Sequence, residues 1–116
     1  MVKVQSLIAN GGSAFGKRIL SRSGCERVFD EQTNGLDLVL GVPIRFGMGY
    51  GLTSETMPLG PNPNTCFWGG WGGSLVINDL ENRMTIAYVM NRMGDGTTGD
   101  LRGGAIVMAA MMAALS

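Results

Sequence analysis

Residues 67–75 read Phe67-Trp68-Gly69-Gly70-Trp71-Gly72-Gly73-Ser74-Leu75, and the fold turns on how that stretch is understood. Indoles alternating with bare backbone give a flat apolar wall and leave a ligand room to approach the main-chain amides. The same pattern describes a glycine-bulged strand whose tryptophans fill a core. Both readings stand at this point. The segment flows into Leu75-Val76-Ile77, and Asn78-Asp79-Leu80-Glu81-Asn82 supplies a turn, which places Asp79 and Glu81 in a solvated loop. Met84-Thr85-Ile86-Ala87-Tyr88-Val89-Met90 is the clearest strand, so the pattern predicts an antiparallel hairpin with a longer connection. A loop at 94–99 follows. Leu101 to Leu115 reads as a helix rich in Ala and Met, apolar nearly all round and therefore hidden on several sides. Its uncharged run is well below the roughly 20 residues that a membrane span needs.

In the other direction, Thr53 to Thr65 is loop, marked by Pro58, Pro61 and Asn62-Pro63. Arg45 to Leu52 carries glycine at every second position from Gly47, which in a strand leaves one face bare for close packing. Leu36 to Val42 is apolar apart from Asp37, and Pro43 limits it to a loop or edge strand. Ser23-Gly24-Cys25-Glu26 fits a capping box opening a short helix toward Gln32. Val2 to Ala9 has helical spacing in Val4, Leu7 and Ile8, and Asn10-Gly11-Gly12 supplies its stop.

The 116 residues suffice for one small domain, and nine Lys/Arg balance nine Asp/Glu. Nothing in that charge draws the chain to nucleic acid or an anionic membrane. Histidine is absent, which removes the usual general base, Ser-His-Asp and Cys-His catalysis, and the commonest metal ligand. Cys25 and Cys66 form no CxxC pair. The two could pair with each other, but nothing demands it, and the polar opening MVKVQSLIANGG is no signal peptide. Free thiols in a reducing, cytoplasmic compartment are the expectation. No metal or cofactor is called for.

Three motifs fail on inspection. Gly11-Gly12-Ser13-Ala14-Phe15-Gly16-Lys17 has the glycine and lysine spacing of a phosphate loop, but Arg18 replaces the Ser/Thr and the segment follows a helix. It is a turn. Neither Ser13 nor Ser74 completes GxSxG, and no Ser-x-x-Lys occurs, Ser13 and Lys17 being one residue too far apart.

The stretch 67–75 followed by Tyr88-Val89-Met90-Asn91-Arg92-Met93-Gly94 resembles the C-terminal part of the β-lactamase-related serine hydrolases. The similarity is strongest to the esterases of carboxylesterase family VIII, which share a fold with class C β-lactamases and penicillin-binding proteins. Upstream stretches agree: Leu7-Ile8-Ala9-Asn10-Gly11-Gly12, Arg18-Ile19-Leu20-Ser21 and Phe46-Gly47-Met48-Gly49-Tyr50-Gly51. In that family Ser-x-x-Lys and the tyrosine of Tyr-x-Asn perform acyl transfer. A third motif, Lys-Thr-Gly or in esterases often His-x-Gly or Trp-x-Gly, lies on the strand beside them. Trp68-Gly69-Gly70 matches the esterase form. The resemblance implies that the Trp71 amide is an oxyanion donor, with Trp68, Gly69 and Gly70 beside the substrate and Asn91 at its far end.

Departures from the family pattern shape the expectation. Neither Tyr50 nor Tyr88 is followed two places on by asparagine, and the Ser-x-x-Lys is missing. The chain therefore reads as a C-terminal fragment without its nucleophile, inactive alone. The expected fold is α+β, a partial β-lactamase/transpeptidase-like domain across residues 1–116. Residues 1–65 form its irregular helical and loop portion, and 66–116 the β-hairpin and packed C-terminal helix. In the family, strands from the start of the polypeptide complete the sheet, so an open strand edge and apolar surface are expected here. The implied partners are a small-molecule ester in the full-length form and either an N-terminal complementing fragment or further copies of the chain. A noncatalytic binding or interaction module on the same sheet is the second reading. An enzyme with unrecognised chemistry is the third.

Overall fold

The computed structural model describes residues 1–96 and 99–116; of the expected loop at 94–99, residues 97–98 lie outside the described residues. Helix α1 spans Val2–Ala9. It ends as expected, the amides of Asn10, Gly11 and Gly12 turning back onto the carbonyls of Ser6, Ile8 and Leu7, with Gly11 and Gly12 at positive φ. Strands β1 (Ser13–Ala14) and β2 (Lys17–Arg18) make a two-residue hairpin. Its tip, Phe15-Gly16, is at positive φ in both residues, the geometry of a type I′ turn and not of a helix start.

Helix α2 (Arg22–Glu26) continues into a 3₁₀ turn at Arg27–Phe29. Its cap is Ser21 instead of the expected Ser23. Ser21 is in the extended conformation and its hydroxyl accepts from the Gly24 amide, while Ser23 is already helical. A side chain at Gly24 would press on that hydroxyl.

A six-stranded antiparallel sheet follows: β3 (Thr33–Leu36), β4 (Pro43–Phe46), β5 (Gly51–Leu52), β6 (Thr65–Gly69), β7 (Leu75–Asp79) and β8 (Met84–Tyr88), neighbours in space in that order. Residues 1–65 are thus not merely helical and irregular, since β1, β2 and three of the six strands of this sheet lie within them. Leu36 closes β3, and residues 37–42 make a turn in which the Asp37 carboxylate accepts from the Val39 and Leu40 amides. Arg45–Leu52 is not one strand. Gly47 donates to the Tyr50 carbonyl and Gly49 takes a φ of +77°, which folds the segment into the β4–β5 connection. The expected close packing is present. A Cβ on Gly51 would lie 2.6 Å from the Phe67 ring, and one on Gly47 would run into the Val28 carbonyl.

Directly paired residues share a face of the sheet, which explains the two cores. Phe67, Leu75 and Ile77 point to helix α3 (Leu101–Leu115), where Val107 and Met111 complete the cluster. On the opposite face Leu52 and Cys66 meet Val28, with Ile8 of α1 packed against them. Asn78 lies there too, fully buried, and burial of an amide is tolerable only with its bonds made. It donates to Gln5 of α1 at 3.0 Å and accepts from Thr85 at 2.8 Å. Tyr50 also donates to Gln5, at 2.8 Å, so a polar contact fixes α1 on the sheet.

Two further expectations change. The α3 helix is not hidden on several sides. Gly103, Val107 and Met111 form a single buried line at four-residue spacing, while Leu101 is 92% exposed and Met112 71%. One sheet face can cover only one stripe. Asp79 is not solvated but fully buried, and its carboxylate accepts from the Asn62 and Asn82 side chains and the Asn82 amide. Glu81 does stay exposed. Among the described residues β8 has a partner only in β7, and no helix is long and apolar enough to cross a membrane.

Both cysteines are free and buried. Burial pushes the Cys66 thiol up to about 12, with a hydrogen bond from Asn78 acting the other way. The fold holds the neutral thiol, so its contribution is complete below the unfolded thiol's pKa of roughly 8.5. It is lost as pH rises from there toward 12, by at most about 5 kcal/mol. Urea unfolding at stepped alkaline pH is expected to show a steeper loss for the native chain than for Cys66→Ala.

Candidate functional site

The tryptophan-glycine segment is not a continuous strand. Strand β6 ends at Gly69, paired with Leu75, and the chain reverses through Gly70–Ser74. The Gly73 amide donates to the Gly70 carbonyl at 3.1 Å, and the Gly70 amide to the Ser74 carbonyl at 2.8 Å. Gly72 has a φ of +87°, whereas that of Trp71 is not positive. Those values make Gly70–Gly73 a type II turn with Trp71 at its second position. The Trp71 amide is therefore carried by a tight turn at the end of β6 rather than by the strand itself.

The turn is held from two directions. The Gly72 amide donates to the Gly96 carbonyl at 2.9 Å and the Gly94 amide to the Gly72 carbonyl at 2.7 Å. Met93 lies across Gly72, where a Cβ would be 2.8 Å from its methyl. On the other side the start of α3 presses in. A Cβ on Gly73 would sit 2.5 Å from an Asp100 carboxylate oxygen. That carboxylate caps α3 by accepting from the Gly103 amide at 3.0 Å and pairs with Arg102. The hydrogen bond from Arg102, helped by the Gly103 amide, holds the Asp100 carboxyl below its ordinary range. Arg102 also donates to the Arg92 carbonyl at 3.2 Å, which ties the 92–96 segment to the same point.

Of the four consecutive amides at 70–73, three are committed to carbonyls of the turn and its neighbours. The Trp71 N–H alone donates to no acceptor among the described residues. Its indole is 69% exposed and that of Trp68 40%, so the core-filling reading of the two tryptophans fails. The Trp68 ring rests against Phe46 at a centroid distance of 5.6 Å and an interplanar angle of 48°. A fixed N–H with no acceptor among the described residues, beside exposed aromatic surface, can receive a carbonyl or oxyanion without rearranging.

Trp68, Gly69, Gly70 and Trp71 are thus together at the β6–β7 reversal. Asn91 stands beyond the end of β8, exposed, with no side-chain hydrogen bond among the described residues; it is bonded to none of the other four. Nothing in the sequence singles out the Gly94–Gly96 brace or the Asp100–Arg102 pair beyond the clustering of glycines at 94–103. A cavity of about 700 Å³ lies elsewhere, between α1, α2 and the β7–β8 turn, bordered by Arg18, Arg22, Cys25, Glu26 and Arg83. None of the nominated residues borders it. Among the described residues no cluster of three or more His, Cys, Asp or Glu side chains could hold a metal ion.

A family model described as Beta-lactamase matches residues 4–110. The solved structure of a family VIII carboxylesterase is similar at 35% identity and a TM-score of 0.84, over 97% of this chain and 30% of that one. A penicillin-binding protein homolog from Caulobacter crescentus is similar at 30% identity and a TM-score of 0.85, over 94% of this chain and 29% of that one. The chain spans less than a third of the length of either structure. No curated protein matches.

Proposed function

Because the chain belongs to the beta-lactamase family, we propose that it is the C-terminal part of a serine hydrolase that cleaves esters through an acyl-serine intermediate, as family VIII carboxylesterases resemble it in fold and sequence. In this reading the Trp71 amide is one oxyanion-hole donor, Trp68, Gly69 and Gly70 flank the substrate, and Asn91 faces its far end. The attacking serine, its lysine and the tyrosine belong to polypeptide outside residues 1–116. The observation that carries the reading is the Trp71 N–H, the one amide of the turn without an acceptor among the described residues. An amide fixed where negative charge develops lowers the barrier to acyl transfer, but it cannot replace a nucleophile. The unpaired thiols of Cys25 and Cys66 support the cytoplasm as the compartment.

The test is covalent labelling. The purified chain is expected to take up no fluorophosphonate and to leave p-nitrophenyl esters intact. Mixed with the N-terminal two-thirds of a family VIII carboxylesterase, it is expected to restore turnover, with the label on the added piece. Label on residues 1–116 themselves would overturn the proposal.

The free edge of β8 and the bare outer side of α3 support association, with that N-terminal piece or with further copies of the chain. Sedimentation of the chain alone is expected to show self-association together with binding of an apolar dye. A monomer with a sharp unfolding transition and little dye binding would contradict this. A noncatalytic interaction module would share the association but gain no turnover on complementation.

A further inference from the structure

Resting on the oxyanion-donor reading of the Trp71 amide, we propose that the Trp68 and Trp71 indoles select esters that carry a planar aromatic group directly beside the ester linkage. The donor N–H and the more exposed indole belong to one residue. The amide nitrogen and the Cβ of a residue share one Cα, so a carbonyl oxygen received by the Trp71 amide brings its own substituents toward the side chain that carries that ring. Trp68 precedes it by three residues at the end of β6, and its ring is steadied by Phe46 at 5.6 Å. Gly69 and Gly70 between the two indoles carry no side chain to fill the space over the backbone. Aromatic rings gain from offset or edge-to-face contact with indoles beyond the area they bury. A saturated ring of the same size lacks that part. The aromatic group can come from either side of the ester, since the substituent carbon on the acyl side and the alcohol oxygen on the other are both bonded to the carbonyl carbon.

Trp68 and Trp71 are the only tryptophans in the chain, so tryptophan fluorescence, excited at a wavelength that Tyr50 and Tyr88 do not absorb, reports this site alone. Titration with methyl benzoate and with phenyl acetate separates the acyl from the alcohol side. Methyl cyclohexanecarboxylate and methyl acetate serve as aliphatic comparisons. The ¹⁵N–¹H signal of the Trp71 amide is followed in parallel. At least one aromatic ester is expected to quench saturably, to bind at least threefold more tightly than the cyclohexyl ester, and to move the Trp71 amide signal. Trp71→Leu and Trp68→Leu are each expected to erase the threefold preference, read in both variants by NMR. Equal affinity for aromatic and cyclohexyl esters, with the amide still moving, would overturn the aromatic selection and leave the donor role standing. An amide that no ester moves would remove the donor role, and this proposal with it.

Discussion

Trp71→Pro is expected to lower kcat of the complemented enzyme about 100- to 1000-fold, the loss typical of removing one oxyanion-hole donor. Proline is the one residue that deletes this N–H. The second position of a type II turn is where proline is favoured, and the residue before it, Gly70, tolerates the extended backbone that proline imposes. No hydrogen bond among the described residues is lost, because the Trp71 amide makes none. The indole is mostly in solvent, so the melting temperature should move little. Trp71→Ala is the necessary companion, since it removes the ring and keeps the donor. The proline variant is expected to lose kcat relative to the alanine variant with little change in KM, because the bond is made to charge that develops in the transition state. Equal kcat in the two variants would place the donor elsewhere.

The largest stability effect at the site is expected from Gly73→Ala. Gly73 has a φ of +124°, a conformation that costs an L-residue about 1–2 kcal/mol. Its new methyl would also lie 2.5 Å from the Asp100 carboxylate, which is already engaged with Arg102 and the start of α3. Overpacking against such a fixed neighbour costs a further 1–3 kcal/mol or so. The total of about 2–5 kcal/mol corresponds to a fall in melting temperature of roughly 10 °C or more for a chain of this size. Gly16→Ala separates the two causes. Gly16 also has positive φ, at +76°, but no atom within 4 Å of the added methyl, so it reports backbone strain alone. If Gly73→Ala proves no worse than Gly16→Ala, Asp100 does not wedge the turn.

The elements that were legible in the sequence are those whose pattern is long or sharply punctuated. Helix α3 runs from Leu101 to Leu115 as its richness in Ala and Met predicts, and α1 stops where Asn10-Gly11-Gly12 says it must. The β7–β8 hairpin follows from its alternation and turn. Strands β3 to β5 were obscured for a definite reason. They are two to four residues long, one begins at Pro43, and their pairing depends on glycines that carry no hydrophobic period. Asp79 shows the same limit from another side, because a carboxylate in a turn sequence reads as solvated until Asn62, 17 residues away, is seen to reach it. At the site, Trp68 and Trp71 stood out by composition. What distinguishes the Trp71 amide does not, because it depends on where the hydrogen bonds of residues 70, 72 and 73 go. The acceptors at Ser74 and Gly96 are fixed by tertiary structure.

The sheet is a plain meander, each strand beside its successor in the chain. Short closures of this kind carry little entropic penalty, and contacts close in sequence favour rapid folding. The strands can therefore zip together one after another as the polypeptide leaves the ribosome. Helix α1 cannot share in that order, although it emerges before them. Its partner Asn78 lies 73 residues from Gln5, so the helix, which meets Tyr50 earlier, is fully seated only after β7 has been added.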